Sequence, residues 1–499
     1  MGQIRKQTIQ TSFLSYTGFL IGAINTYFFT KKGLFTPEQY GLTQAFTSIS
    51  QVIAPIGTLG MTVFMGKFFP YYFDRLSHKR NDMLGIAVMV SAIGALLVFS
   101  GCLLFEPLVI KRFSERSILM VKFYYWSLLF AFFFLCFMIL ESYLYTLKKA
   151  VVPNFMKETV YRGSVSVLIA LYAFQVIDFD LFVKLFCSVY LMIVVIMVIY
   201  LSVSGQLYLT FRISTVTQKL RRQIVNYVSF VYGGMVINGI ARQIDTLALA
   251  GVKGLAITGI YTLNQYAAAV IQVPYRALLA IAAPTIAQYW KNKNKAEIDS
   301  LYKRASINML LISSFLFLLI WVNYDDGLAI MGLDKEYAKG KMVFLILGIY
   351  NIMDLTLGIS SAVINTSPAW RFEFFSGVIL LLFSISLNIY MARWEGIGVA
   401  LATFITFAIY NSVRVIFLYR RFGLSPFTIK TIYALLLILV AYGTVWLLAG
   451  NWHGITAILI RSALLTGIFL TGTLYFKITP DLPQVLDLVM KKTGFRKSR

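Results

Sequence analysis

The sequence predicts an all-α polytopic membrane protein with about fourteen transmembrane helices, arranged as two parallel six-helix lobes plus two C-terminal helices. The first observation behind this fold class is composition. The 499 residues are 59% hydrophobic and 13% charged, with a mean hydropathy of +0.75, whereas soluble proteins contain about 25% charged residues. The second is the recurrence of apolar runs long enough to cross a bilayer. The third is a pattern of polar residues that occurs twice along the chain.

The apolar runs form two groups of six and a final pair. The first group covers 10–30, 42–66, 84–106, 118–147, 155–175 and 179–204, the second covers 223–250, 257–289, 303–322, 339–366, 370–392 and 396–419, and the pair covers 428–449 and 452–476. No small-residue cleavage site follows the first run, so we expect an uncleaved helix there. The predicted domains are a lobe over 1–204, a basic cytoplasmic connector over 205–222, a second lobe over 223–419, two additional helices over 420–476 and a basic cytoplasmic tail over 477–499.

The basic residues indicate how the chain is oriented. The net charge is +24 at pH 7, and most of the 45 lysines and arginines fall in alternate connecting segments, beginning with the N-terminal one. Such a bias places both termini in the cytoplasm. A nucleic-acid-binding surface would instead need a basic patch on a folded polar domain. We therefore expect membrane lipids, and not nucleic acid, as partners.

Residues that usually carry catalysis or bind metals are scarce. The three cysteines lie within apolar runs, and the two histidines lie beside polar loop residues. Neither arrangement suits a metal site or a catalytic dyad. No Gly-x-x-x-x-Gly-Lys loop for nucleotide phosphates occurs. We therefore predict no metal, no cofactor and no enzymatic activity, so work must come from a substrate gradient, an ion gradient or the membrane potential.

An internal repeat relates the two groups of six runs. At a constant offset of 221 residues, the matching residues are Tyr40 with Tyr261, Gln44 with Gln265, Gln51 with Gln272, and Val52 with Val273. Both copies fall on the second helix of their group and therefore have the same orientation in the membrane. This predicts a parallel repeat about an axis along the membrane normal, with a substrate site between the lobes near the midplane.

Polar stripes on the repeated helices are candidates for lining that site. In the first lobe the stripe is neutral, and it contains Gln44, Ser48, Gln51, Pro55, Thr58 and Thr62. In the second lobe two helices carry charged stripes, namely Asn238, Arg242 and Asp245, then Tyr261, Gln265, Gln272 and Arg276. The sequence thus predicts an asymmetric cavity whose charge is concentrated on the second lobe.

Arg242 and Arg276 are the strongest candidates for a binding role. An arginine at mid-membrane costs roughly 2.5 to 3.5 kcal/mol, so each needs a counter-charge or water. One interpretation is internal pairing, of Arg242 with Asp245 and of Arg276 with Glu141 or Asp354. The other is a hydrated cavity in which the two guanidinium groups hold a phosphate. The two interpretations are compatible, because Asp245 could release Arg242 when a phosphate arrives.

Other polar positions are weaker candidates. Asp354 is a candidate for ion or proton coupling. It belongs to a stripe on the tenth run, with Asn351, Gly358, Ser361 and Asn365, that either lines the cavity or forms interhelical hydrogen bonds. Glu141, near the inner end of the fourth run, is either an ion or proton coupling site or a residue that reaches to the interface. We interpret Asp325 and Asp326 as a solvated turn.

The motifs Glu38–Gly41 (Glu-Gln-Tyr-Gly), entering the second run, and Gly259–Thr262 (Gly-Ile-Tyr-Thr) complete a recognisable pattern. With the layout of six, six and two runs, the chain resembles the polysaccharide-transporter branch of the multidrug/oligosaccharidyl-lipid/polysaccharide (MOP) exporter superfamily. That branch comprises O-antigen (Wzx-type) flippases and their lipid II flippase relatives. The resemblance covers the whole chain.

The resemblance implies a flippase of the bacterial cytoplasmic (inner) membrane that acts in polysaccharide or lipopolysaccharide biosynthesis. Its substrate would be an oligosaccharide linked to undecaprenyl pyrophosphate, a polyprenyl pyrophosphate, moved from the cytoplasmic to the periplasmic leaflet by alternating access. Arg242 and Arg276 match the cationic cavity of the family. A polysaccharide polymerase or glycosyltransferases of the same pathway are implied partners. The alternatives are a cation-coupled multidrug antiporter of the same superfamily and, from another class, a membrane polysaccharide polymerase or ligase.

Overall fold

The computed structural model describes residues 2–76 and 81–483. In this part of the chain nine helices are long and apolar enough to cross a membrane, and two bent helix pairs raise the number to as many as eleven. One of the nine, Arg371–Phe422, contains two helices joined by a short 3-10 turn. Each predicted run coincides with helical structure. The part of the predicted tail from residue 484 onwards lies outside the described residues. Residues 77–80, which include two basic residues of the connecting segment, also lie outside them.

The helices divide into two compact units, Met1–Thr262 and Leu263–Arg499. In the first unit α7 packs against α2 and α10, and α11 packs against α2 and α3. The elements of this unit are α1 Gly2–Thr30, α2 Pro37–Gly57, α3 Met61–Arg75, α4 Met83–Leu104, α5 Glu106–Phe113, α6 Ile118–Lys122, α7 Tyr124–Thr146, α8 Val151–Phe155, a π-helix Met156–Val160, α9 Tyr161–Ala173, α10 Phe179–Val203 and α11 Thr215–Lys253. The boundary falls inside α12, Leu255–Ala269.

In the second unit α16 packs against α14 and α18, and α19 packs against α20 and α14. Its elements are a 3-10 turn Val270–Gln272, α13 Val273–Lys291, α14 Lys295–Trp321, α15 Tyr324–Ile330, a 3-10 helix Lys335–Gly340, α16 Lys341–Thr366, α17 Arg371–Met391, a 3-10 turn Ala392–Trp394, α18 Glu395–Phe422, α19 Ile429–Ala449 and α20 Ile455–Tyr475. Because the boundary lies inside α12, the division into lobes at 205–222 stays a prediction.

Two spans are bent at corresponding places in the repeat. Pro37–Gly57 meets Met61–Arg75 at 48°, and Leu255–Arg276 meets Ile281–Lys291 at 44°. In the first bend Gly60 has a φ of 77°, a left-handed conformation that suits glycine. The bends place Thr58 and Arg276 where the two halves of each span change direction.

A buried carboxylate fixes the start of α11. The side chain of Asp82 accepts hydrogen bonds from the Ser214 amide at 2.7 Å and from the Thr217 hydroxyl at 2.8 Å. Ser214 is the N-cap of α11, and its hydroxyl accepts from the Thr217 amide. Tyr72 on α3 lies 2.7 Å from the same Thr217 hydroxyl. These contacts hold the N-terminal end of α11 against α3 and against Asp82, the residue before α4.

The interpretation of Asp326 as part of a solvated turn is wrong. Asp326 lies on α15, is buried, and accepts from Arg461 at 2.7 Å and from the Gly454 amide at 3.0 Å. Burial acts to raise the pKa of Asp326, but these two hydrogen bonds together with the charges of Arg461 and His453 hold the pKa below its ordinary value. Its neighbour Asp325 is exposed and pairs with Lys341. The difference arises because Arg461 on α20 supplies a buried partner that the local sequence does not reveal.

Candidate functional site

The charged stripe on α11 contains one exposed and one buried ionisable group. Arg242 is exposed, whereas Asp245 is buried. Asp245 accepts hydrogen bonds from the Tyr261 hydroxyl on α12 at 2.9 Å and from the Thr246 amide at 2.6 Å. The two predicted stripes therefore meet at Asp245 and Tyr261. The side chain of Arg242 is the exposed ionisable group of this stripe.

Arg276 is exposed at the bend of α13. Within the described residues it forms no ion pair, and Asp354 instead accepts from the Asn411 amide on α18 at 2.9 Å. An exposed guanidinium in a span has to be hydrated or bound to an anion. The position of Arg276 is therefore compatible with an anion site in the second unit.

The neutral stripe of the first unit is partly accessible. Gln51 is exposed and accepts from the Gln243 amide on α11 at 2.6 Å, and Gln44 is half-buried. Ser48 and Thr58 are buried, and the Thr58 hydroxyl donates to the Pro55 carbonyl at 2.8 Å, where α2 ends. Of this stripe, the two glutamines are the residues placed where a ligand could contact them.

The remaining predicted residues form local or interhelical hydrogen bonds. Asn238 is half-buried and donates to the Gly234 carbonyl one turn earlier, at 2.9 Å. Gln272 donates to Asn351 on α16 at 2.6 Å, which joins α16 to the 3-10 turn before α13. Gln265 is half-buried on α12.

The polar stripe of α16 connects helices. Besides the Gln272 contact to Asn351 and the Asn411 contact to Asp354, Ser361 donates to Glu373 on α17 at 2.7 Å. Gly358 leaves room for the ring of Tyr275 on α13, because a Cβ at this position would lie 2.9 Å from the tyrosine hydroxyl. Of the two interpretations of this stripe, these contacts support interhelical hydrogen bonding.

An ionic cluster centred on Arg414 was not predicted. Arg414 on α18 is 3% exposed, its Nε lies 3.5 Å from Glu373, and its guanidinium lies over the ring of Tyr410. It also donates to Asn411, which in turn donates to Asp354. The signal was present, since Arg414 and Glu373 both fall inside predicted runs, yet Arg414 looked like a residue of a cytoplasmic segment. The cluster links α16, α17 and α18.

A second unpredicted cluster lies in the first unit. Lys157 lies 3.9 Å from Glu141, and Arg162 lies 3.1 Å from Glu158. Three of these residues lie on the π-helix or the first turn of α9, within the predicted run 155–175. Glu141 therefore lies next to a cation, and its two predicted roles, as a coupling site or as an interface residue, both stay predictions. The charges of this cluster lie outside the neutral stripe predicted for the first lobe, Gln44 to Thr62.

Solved structures establish the fold, whereas no family model and no curated protein matches the sequence. The lipid II flippase MurJ in an inward closed conformation aligns with a TM-score of 0.73 and 16% identity, over 94% of this chain and 99% of that one. An inward-facing multidrug resistance transporter of the MATE family aligns with a TM-score of 0.61 and 12% identity, over 81% of this chain and 96% of that one. A MOP-superfamily transporter from Pyrococcus furiosus aligns with a TM-score of 0.54 and 12% identity, over 84% of this chain and 96% of that one. The chain has the fold of MOP-superfamily transporters, which confirms the predicted fold class.

Proposed function

We propose that the protein is a flippase that moves an oligosaccharide linked to undecaprenyl pyrophosphate from the cytoplasmic to the periplasmic leaflet of a bacterial inner membrane. Alternating access of the two lobes would carry the headgroup across, with both termini in the cytoplasm. The likeness to the lipid II flippase supports this function, because it extends over 94% of the chain against 81% for the MATE transporter.

The observation that carries the proposal is an apolar groove in the second unit. It has a volume of about 610 Å³ and lies between α13, α14 and α20. Its walls include Leu278, Leu311, Phe315 and Phe469, and polar groups such as that of Asp481 lie in only a small part of its lining. A long isoprenoid chain would bury its methyl groups against such walls. A water-soluble drug has no comparable apolar tail.

The headgroup needs cationic partners, and Arg242 and Arg276 supply them in the proposal. Both side chains are exposed on helices that the sequence predicts to be in the membrane. A guanidinium presents donors in a planar fork that matches two phosphate oxygens. In the proposal each of the two arginines is a cationic contact for phosphate oxygens of the headgroup.

A cation-coupled multidrug antiporter is the second candidate, and the likeness to the MATE transporter favours it. The two functions make opposite demands on charge, because exposed arginines repel an organic cation and attract a pyrophosphate. Export of an organic cation driven by sodium or protons, with no movement of a lipid-linked sugar, would establish the antiporter.

The proposal can be tested in vesicles that contain the purified protein and a fluorescent lipid-linked oligosaccharide, with an impermeant quencher reporting the leaflet. Arg242→Ala and Arg276→Ala should each lower the initial flipping rate on the order of tenfold, because one charge-assisted contact is lost. Arg420→Ala is the matched control, since this exposed arginine lies at the end of α18. Wild-type rates in both variants would refute the arginine site.

A cellular experiment tests the same function independently. Deletion of the gene should cause the lipid-linked intermediate to accumulate in the cytoplasmic leaflet. It should also leave the polysaccharide polymerase and the glycosyltransferases of the pathway without a periplasmic substrate. An unchanged distribution of the intermediate between the leaflets would exclude a flippase.

A further inference from the structure

The first unit contains a cluster of four ionisable side chains, Glu141, Lys157, Glu158 and Arg162, called here the bulge cluster. The contact of Lys157 with Glu141 is long, at 3.9 Å, and the contact of Arg162 with Glu158 is 3.1 Å. The side chain of Lys157 is 45% exposed and that of Arg162 is 27% exposed. Both cations are therefore accessible from outside the packed helices.

The bulge cluster lies on a helical segment that the sequence predicts to be in the membrane. α8, the π-helix and α9 form one continuous helical segment from Val151 to Ala173 that is long enough to cross a bilayer. In the predicted run 155–175, Lys157 lies about 3 Å and Arg162 about 10 Å from the start at 1.5 Å per residue, within a hydrocarbon core about 30 Å thick. Charges at this depth are costly and are usually functional.

The backbone around the bulge cluster is specialised. Lys157 and Glu158 lie on the π-helix, and single π-turns within α-helices are frequently found at functional sites. Asn25 on α1 donates to the Arg162 carbonyl at 2.8 Å and accepts from the Ser166 hydroxyl at 2.6 Å. Gly18 on α1 lets this helix approach Glu158, because a Cβ on Gly18 would lie 2.6 Å from the Cβ of Glu158. α1 therefore holds the wide turn in place.

The Arg414 cluster of the second unit provides a comparison. It too places acidic residues, Asp354 and Glu373, on neighbouring helices beside a cation. Its guanidinium, however, is 3% exposed and lies over Tyr410. A buried cation of this kind stabilises the packing of its helices and is closed to a ligand. In the bulge cluster, by contrast, both cationic side chains are partly exposed and accessible to a ligand.

We propose that Lys157 and Arg162 form an anion site for the pyrophosphate headgroup of a membrane lipid, with Glu141 and Glu158 as internal counter-charges that the headgroup displaces. This inference rests on the proposed flippase function and assigns a cationic headgroup site to the first unit. A pyrophosphate carries more negative charge and more acceptor oxygens than a carboxylate, so it competes well for both cations. The long Lys157–Glu141 contact is the first that such a headgroup replaces.

Binding to the full-length protein in nanodiscs tests the site, with undecaprenyl pyrophosphate as the probe and undecaprenol, which lacks the phosphates, as the reference lipid. Lys157→Gln and Arg162→Gln should each weaken binding of the pyrophosphate lipid on the order of tenfold and leave undecaprenol binding unchanged. Arg162→Lys should retain most of the affinity. Lys122→Gln is the matched control, because Lys122 forms an exposed ion pair with Asp180 at 2.6 Å in the same unit.

A variant with the opposite expected effect separates binding from folding. Glu158→Gln removes the competing carboxylate, so it should tighten binding of the pyrophosphate lipid several-fold. A purely structural ion pair would give weaker or unchanged binding, and that result, or wild-type affinity in both cation variants, overturns the site. Binding of inorganic pyrophosphate as tight as that of the lipid would show that the ligand is a free anion and would overturn the assignment to a lipid.

The outcomes also distinguish this site from the proposed function. If the wild-type protein does not bind undecaprenyl pyrophosphate, the flippase proposal itself fails. If the wild type binds it and only Arg242→Ala and Arg276→Ala weaken binding, the flippase proposal survives and the site at the bulge cluster fails.

Discussion

Arginines inside this protein have two kinds of environment. Arg414 and Arg461 are buried and pair with carboxylates, whereas Arg242 and Arg276 are exposed. A buried, paired guanidinium stabilises helix contacts, and an exposed one is available to an anion. Residue type alone therefore does not identify a binding site in a membrane span, because burial decides between the two roles.

Replacing Arg461 by alanine should destabilise the protein. Arg461 pairs with Asp326 and also donates to the carbonyls of Ala449 and Val322 at 3.0 Å. Its loss leaves a buried carboxylate without its partner, which costs about 3 kcal/mol. Thermal unfolding in detergent should show a Tm several degrees lower. Lys341→Ala, which breaks the exposed pair with Asp325, should change the stability by less than about 1 kcal/mol, and equal effects of the two variants would contradict the argument.

The sequence predicts which residues share one face of a helix, but it does not predict which residues of other helices they contact. Helical spacing placed Asn351, Asp354 and Ser361 on one face of α16, and all three contact other elements. The spacing did not reveal that Asn411 would bind Asp354, since partners on other helices depend on packing. The spacing likewise does not reveal that Lys157 and Arg162 pair with Glu141 and Glu158.

At the scale of elements, α2 and α12 cross at two glycines. A Cβ on Gly41 would collide with the Leu255 carbonyl, and a Cβ on Gly259 would collide with the Pro37 carbonyl. Pro37 and Leu255 are the first residues of α2 and α12, so the contact is reciprocal. The two contacts are related by an offset of 218 residues, three fewer than the offset of the polar repeat, and each helix start approaches a glycine of the other helix. Only glycine permits this distance between the two backbones.

Alanine at either crossing glycine should force the helices apart. Gly41→Ala and Gly259→Ala are each expected to lower the Tm and the flipping rate, because the added methyl group meets backbone that cannot move away. The matched control is Gly66→Ala on α3, where a Cβ meets nothing within 4 Å. That change should be neutral or stabilising by up to about 1 kcal/mol. Unchanged Tm and flipping rate in both crossing variants would show that the helices can separate without cost.

The predicted elements agree with the structure in position but not in every detail. α11 begins at Thr215, before the predicted 223, because the bonds from Ser214 and Thr217 to Asp82 extend it beyond the apolar run. The π-helix was not predicted, since an apolar run with a regular period gives no sign of a single wide turn. Both departures depend on side chains from other helices.

At the scale of the whole molecule, the charge bias predicts that both termini are cytoplasmic. This orientation can be measured in a variant whose three cysteines are replaced. An impermeant maleimide should label Lys335→Cys in cells with a permeable outer membrane, and it should label Lys293→Cys only after the inner membrane is opened. These positions lie in the segments on either side of α14. The reverse pattern would invert the orientation and with it the direction of transport.

The contribution of the π-helix to the bulge cluster can be tested without changing the rest of the span. A π-turn holds one residue more than an α-turn, so deletion of Thr159 would convert Met156–Val160 into an ordinary α-helix. Residues before and after the deletion would keep their present faces toward α1 and α10. The span would retain its length, its apolar surface and its charges, and would lose only the wide turn. In evolutionary terms the turn behaves as a one-residue insertion, which a lineage can acquire or discard without rebuilding the fold.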